Sequence, residues 1–329
     1  MANQPLVTHL YTADPSAHVF NNKLYIYPSH DRETSIEFND NGDQYDMNDY
    51  HVFSMDTITG PVVDHGVVLK AADIPWVSKQ LWAPDAAYKN GKYFLYFPAR
   101  DKEGIFRIGV AVSSSPAGPF LPEKEPIPGS YSIDPAVFVD DDGEAYLYFG
   151  GIWGGQLQCW SKDESKENCW TFDISKSGPQ EPSGPNINAL YPRVAKLSND
   201  MLTFNTPVHE LMILDESGSP ITADDHQRRF FEAAWMHKYN GTYYFSYSTG
   251  DTHFLVYATG DNPWGPFQYR GRILEPVQGW TTHHSIVEFG GRWYLFYHDC
   301  ELSGGVDHLR SVKVREMGYD AEGGMHLLQ

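Results

Sequence analysis

Residues 134–150 read DPAVFVDDDGEAYLYFG, and the order of their parts decides the fold. A carboxylate leads, a short apolar run follows, an Asp-Gly step turns the chain, and a strand alternating Tyr, Leu and Phe returns. Glycine at such a step supplies the positive φ of a tight turn, and the alternation sends every second side chain to one face, so the stretch predicts a β-hairpin. The same order recurs as DPSAHVFNNKLYIYP at 14–28, WAPDAAYKNGKYFLYFP at 82–98, EAAWMHKYNGTYYFSYS at 232–248 and HHSIVEFGGRWYLFYH at 283–298. Leading positions 14, 82, 134, 232 and 283 are separated by 68, 52, 98 and 51 residues. A unit of about 50 residues, lengthened by loops, is the size of a four-stranded propeller blade. Five units in one turn register predict an all-β, five-bladed β-propeller in preference to a β-sandwich with recurring hairpins.

Composition agrees and excludes other classes. Twenty-nine glycines, 22 prolines and 15% aromatic residues suit many short strands and argue against helix bundles. A net charge of −19 repels a phosphate backbone, so nucleic acid is excluded as a partner. No apolar run approaches the roughly 20 residues of a membrane span. The start, MANQPLVTHLYTAD, lacks the basic and apolar regions of a secretory signal, so a cytoplasmic location is expected. Cys159, Cys169 and Cys300 form an odd, sparse set without metal-ligand spacing, which suits a reducing compartment. Oligomeric state is open, a homo-oligomer included.

The front of each repeat carries the chemistry. Nine positions before Gly91, Gly143 and Gly241 stand Trp82, Asp134 and Glu232; eight before Asn22 and Gly291 stand Asp14 and His283. The first strand of a propeller blade lines the central channel, so these five residues are expected to converge on the axis. Their carboxyls lie beside small or apolar neighbours, where burying a charge is costly without a function. Asp85 in WAPD falls three positions past its repeat's leading residue and is expected to serve a structural turn. The irregular stretch Ser161–Asn188 is expected to be a surface loop, with a lid as the alternative.

Paired carboxyls in an aromatic-lined acidic pocket suit glycoside hydrolysis, one protonating the leaving oxygen and another activating water or attacking the sugar. Glu232, flanked by Phe230, Phe231 and Trp235, has the most apolar setting and is the better general acid. Asp14 and Asp134 remain as base and modulator in an order that physics leaves open. Three carboxyls would also attract a divalent cation, with His283 or its neighbour His284 giving a nitrogen and water filling the shell. The acidic stretch Asp31–Asn48, with Asp31, Glu33, Glu37, Asp40, Asp43 and Asp46, reads as a solvated charged loop rather than a cation site.

Six motifs in order, ADPS at 13–16, LWAPDA at 81–86, SIDPAVF at 132–138, FFEAAW at 230–235, THHSIVEF at 282–289 and HLRSVKV at 308–314, resemble glycoside hydrolase family 43 over essentially the whole chain. The resemblance implies a five-bladed propeller that hydrolyses β-D-xylosides or α-L-arabinofuranosides with inversion. Carried over motif by motif, it implies Asp14 as general base, Asp134 as pKa modulator and Glu232 as general acid. It places His283 at a channel Ca2+, Arg310 on substrate hydroxyls and Trp82 in an aromatic wall of the sugar pocket. Trp153, in the Gly-rich stretch GGIWGG, is expected to form a second wall. The expected organisation is one propeller over residues 1–329 with no appended β-sandwich, its pocket closed by Asp31–Asn48 or Ser161–Asn188. The expected activity is an exo-acting β-xylosidase with α-L-arabinofuranosidase side activity on imported xylo- or arabino-oligosaccharides. The rivals are an α-L-arabinofuranosidase or endo-arabinanase of the same fold, and a non-catalytic carbohydrate-binding propeller.

Overall fold

A computed structural model describes residues 4–163, 165 and 170–328. Each of the five hairpins opens one blade. The first blade orders Tyr11–Phe20, Lys23–Asp31, Asp49–Met55 and Val63–Lys70 as a meander, and the fifth does the same with His284–Phe289, Arg292–Asp299, Ser311–Tyr319 and Met325–Leu327. Between them lie a second blade around Lys92–Asp101, a third around Ala145–Phe149 and a fourth around Thr242–Ser248. The fourth gains an outer strand, Ile213–Leu214, which runs parallel to Phe267–Leu274. The innermost strands, Tyr11–Phe20, Asp85–Lys89, Ala136–Val139, Glu232–Tyr239 and His284–Phe289, touch in succession and close into a ring. Backbone bonds from Leu6 to Val312 and from Thr12 to Arg310 join the first blade to the fifth.

The turns follow the residues that make them. In four blades the hairpin has two turn residues, with Phe20, Lys89, Tyr239 and Phe289 facing Lys23, Lys92, Thr242 and Arg292. Both turn residues there have positive φ, the geometry that Asn and Gly tolerate. The Asp-Gly step of the third blade belongs instead to a longer turn, since Val139 faces Ala145 across five residues. Aromatic side chains of the returning strands fill the spaces between blades, and Tyr96, Tyr148, Phe97 and Phe245 are fully buried there.

Two expectations need correction. The stretch after Trp160 is more than a surface loop: Trp160–Lys162 pairs with Trp170–Phe172, and Trp160 stacks on the buried Tyr131. Within residues 161–188 it is Trp170 and Phe172 that pack on Tyr131 and Trp160, while most of the described residues of the stretch are exposed as those of a surface loop would be. Asp85 is structural but serves no turn. It is buried and accepts the Val137 N–H at 2.5 Å, the Ser16 hydroxyl and a bond from His18 Nε2 at 2.6 Å, tying the first three blades together at the axis. Cys159 and Cys300 are free thiols, buried and pushed up to about 11 and about 12 chiefly by that burial; Cys169 lies outside the described residues.

Candidate active site

A pocket of about 630 Å³, counted to its open mouth, sits over one end of the axis. Asp14, Trp82, Asp134, Glu232 and His283 all line it, as do Arg310 and Trp153. Local backbone irregularity aims the three carboxyls. Asp14 and Asp134 have φ of +49° and +55°, and Ala233, which follows Glu232, has +63°. Pairing slips between Ala13 and Ser16 and between Glu232 and Trp235, so bulges turn these side chains from the sheet into the pocket. Non-glycine residues in this region of φ/ψ cost stability, and such strain collects at functional sites.

The three carboxyls differ electrostatically. Asp14 is buried, with Oδ1 accepting from Arg310 Nη1 at 3.0 Å and Oδ2 from the Ser29 hydroxyl. Its own N–H donates to His298 Nδ1 at 3.0 Å. Burial alone would raise this carboxyl, but Arg310, the imidazoles beside it and Ser29 outweigh burial and hold it down at about 2. Asp134 accepts the Ala233 N–H at 2.7 Å and faces His283 Nε2 at 3.8 Å. Burial, helped by the charge of Asp14, pushes it up to about 6. Glu232 is half-buried, and burial followed by repulsion from Asp134 and Asp14 drives it well above the usual carboxylate range. One pocket therefore holds a carboxyl shifted down and a carboxyl shifted up from the ordinary range.

Arg310 organises the ionised side. Its Nε and Nη2 form a two-pronged pair with Asp31 at 2.8 and 2.7 Å, while Nη1 reaches Asp14 and Thr281 Oγ1 at 3.0 and 3.1 Å. Of the five N–H groups of a guanidinium, these bonds use four among the described residues. This corrects the reading of Asp31 as part of a solvated loop: it is buried, because an arginine sealed beneath the pocket needs a counter-charge. The rest of that loop covers the pocket. Phe38, Asp40, Gln44, Tyr45 and Met47 line the cavity, whereas Glu33 and Glu37 face solvent.

The aromatic walls are firmly held. Trp82 donates to the Tyr45 carbonyl at 2.8 Å and packs 4.6 Å from Phe106. A Cβ at Gly42, where φ is +71°, would strike its ring at 2.6 Å, so glycine lets the loop close there. Trp153 donates to Glu181 Oε1 at 3.2 Å and packs against Phe231 and Trp280. Glu181 is in turn gripped by the buried Arg229, so the insertion in the third blade braces one wall of the pocket. A Cβ at Gly151 would lie 2.6 Å from Ile133 and 3.2 Å from the Cβ of Glu232, so this loop passes against the acid only because it is glycine.

The neighbouring histidines have separate places. His283 lines the pocket, accepts the His284 N–H on Nδ1 at 2.9 Å and leaves a buried Nε2 without a hydrogen-bond partner. His284 Nε2 is bonded to Ser246 Oγ at 2.6 Å, and burial holds its ring neutral. An orphaned ring nitrogen beside carboxylates fits one ligand of a cation. With Nδ1 accepting the His284 N–H the ring proton lies on Nε2, so Nε2 can ligate a cation only in the other tautomer, which gives up that bond; no three-ligand set forms around His283 among the described residues, so water would supply the remaining shell.

Ser29, Asp31, His298, Thr281, Trp280 and Glu181 were not anticipated from sequence. A second register would have found two of them: seven positions after the turn residues Asn22, Gly241 and Gly291 stand Ser29, Ser248 and His298, the ends of the second strands.

A five-bladed propeller whose axial pocket gathers three carboxyls of unlike electrostatic setting is a framework suited to an enzyme that cleaves glycosidic bonds. The family model "Glycosyl hydrolases family 43" matches residues 3–325, and the chain belongs to that family. It is 74% identical over 322 residues to Xylosidase/arabinosidase 43A of Humicola insolens, covering 97% of each, and 59% identical to a Xylosidase/arabinosidase of Bacteroides ovatus, covering 97% of this chain and 95% of that one. The crystal structure of a GH43 β-xylosidase/α-arabinofuranosidase from a compost microbial metagenome, in complex with xylotriose and calcium-free, superposes with a TM-score of 0.95 at 63% identity, covering 100% of this chain and 98% of that one. The protein is thus a glycoside hydrolase, and the non-catalytic carbohydrate-binding alternative falls away.

Proposed function

We propose that the enzyme is an exo-acting β-xylosidase, with α-L-arabinofuranosidase activity, that releases terminal D-xylose from short β-1,4-xylo-oligosaccharides with inversion. The observation that carries the reading is the presence in one pocket of Asp14, paired with Arg310 and shifted down, and Glu232, facing two carboxyls and shifted up. Glu232 gives its proton to the glycosidic oxygen as the C–O bond breaks. Asp14 takes a proton from the water that attacks the anomeric carbon from the other face. Asp134, bonded to the N–H next to Glu232, keeps the acid protonated by its negative charge and fixes its backbone. Arg310 and Ser29 position Asp14, while Trp82 and Trp153 wall the sugar. The names and bound xylotriose of the relatives support the xylose reading, and the loop over the pocket supports cleavage from a chain end.

A divalent cation, Ca2+ by the family resemblance, would be held by His283; when bound it supplies positive charge that favours the ionised carboxylates nearby. Chelation is expected to lower turnover and Ca2+ to restore it, and His283→Ala is expected to remove the response. Following xyloside hydrolysis by NMR tests the central reading, with α-xylose expected as the first product from a β-xyloside. Initial release of β-xylose would contradict it. Nitrophenyl β-xyloside turned over more slowly than nitrophenyl α-arabinofuranoside would make the arabinose activity the principal one.

A further inference from the structure

Away from the pocket, the first blade carries a second group of ligating side chains. Strand Lys23–Asp31 pairs with Asp49–Met55 in the register Tyr25 to Ser54 and Ile26 to Phe53. Ser29 and Asp31 reach Asp14 and Arg310, so alternation sends the intervening His30 to the opposite face. Asp49 and His51, two residues apart, share a face of the neighbouring strand. One potential ligand atom from each of His30, Asp49 and His51 falls within 4.8 Å of the others. His30 Nδ1 is 2.6 Å from Asp49 Oδ1, and the two imidazoles are 5.0 Å apart by ring centroid. All three residues are half-buried, which leaves access from solvent.

The surroundings are those of a metal ligand set. His51 Nδ1 is bonded to Asp64 Oδ1 at 3.0 Å, and with the proton on that nitrogen the lone pair lies on Nε2. Asp64 is itself held by the Gly66 N–H at 2.8 Å and by His9 Nε2 at 2.8 Å. A carboxylate on the far nitrogen of an imidazole fixes its tautomer and raises its basicity, which is the outer-shell arrangement of ligating histidines.

We propose that His30, Asp49 and His51 form a binding site for a late first-row divalent cation of the zinc class, with Asp64 orienting His51 and water in the open position. Two imidazoles and one carboxylate suit Zn2+, Co2+ or Ni2+ in a three-ligand site, whereas Ca2+ prefers oxygen. The site clamps the strand whose adjacent residues, Ser29 and Asp31, hold the ionised side of the pocket. A hydrogen-bonded His30–Asp49 pair with no metal affinity is the competing reading.

The test is titration of chelator-treated full-length protein with Co2+, read by its visible d–d absorption, and with Zn2+ against a chromophoric chelator. One tight equivalent is expected in the wild type and in His283→Ala, and its loss in His30→Ala and in His51→Ala. Asp64→Asn is expected to weaken binding roughly 10- to 100-fold. Zn2+ should raise Tm in the wild type and leave His30→Ala unmoved. Because either alanine could disturb the strand, His51→Gln, with circular dichroism as a check on folding, keeps the result interpretable. Absence of a tight equivalent in the wild type, or one that survives His30→Ala, His51→Ala and His51→Gln, would overturn the proposal, as would loss in His283→Ala alone.

Discussion

Asp14 and Glu232 lead the first and fourth repeats, each on an inner strand beside a bulge, yet their carboxyls are driven in opposite directions. Place in the repeat therefore does not decide the direction of the shift. The neighbouring blades do: the fifth sends Arg310 to Asp14, whereas Glu232 meets the carboxylate of Asp134 from the third. A pseudo-symmetric ring becomes electrostatically uneven because the residues one blade away are unlike.

The largest effects should come from deleting either end of that opposition. Asp14→Ala and Glu232→Ala are each expected to lower turnover of xylobiose by roughly 10²- to 10⁴-fold with the fold retained, measured by xylose release and circular dichroism. Arg310→Met breaks the opposition from outside. It strands a buried Asp31 and is expected to cost about 3–5 kcal/mol in urea unfolding, together with most activity.

Asp134→Asn sharpens the comparison by removing the negative charge that raises Glu232. Its expected signature is a basic limb of the kcat/KM profile shifted to lower pH, because Glu232 then loses its proton earlier. The same variant has a stability signature. In the wild type the folded-state pKa of about 6 exceeds the unfolded value of about 3.9, so this group's stabilisation is complete below about 4 and lost as pH rises through 6. Asp134→Asn should therefore be more stable than the wild type by about 2–3 kcal/mol at pH 7.5 and show little gain at pH 4 in paired denaturant titrations. Ser29→Ala is the mildest change. Loss of one hydrogen bond to Asp14 should cost about 1–2 kcal/mol and raise the acid limb slightly, with KM little altered.

The propeller was legible because each blade repeats its own turn chemistry, and a turn residue fixes the register of everything before it. That register brought Asp14, Trp82, Asp134, Glu232 and His283 to one pocket, where the structure places all five. It misread what depends on distant partners. Asp31 looked solvated because the arginine that buries it lies 279 positions away. Glu181, in a polar stretch that resembled a plain loop, braces Trp153 through contacts that local patterning cannot encode. Ser29 and His298 were within reach of a second register on the same turns. Protonation was legible only where apolar neighbours were local, as around Glu232 between Phe231 and Trp235. For Asp14 the order of roles came from the family resemblance, and the low pKa is an outcome of folding.

Leaving-group dependence separates the two proposed roles, Glu232 as proton donor and Asp14 as base. A dinitrophenyl β-xyloside departs without protonation, whereas xylobiose needs it. Steady-state hydrolysis of both substrates should show Glu232→Ala nearly intact on the dinitrophenyl xyloside and crippled on xylobiose, with Asp14→Ala crippled on both. Equal losses on the two substrates in Glu232→Ala, or rescue of Asp14→Ala by the activated leaving group, would contradict the assignment.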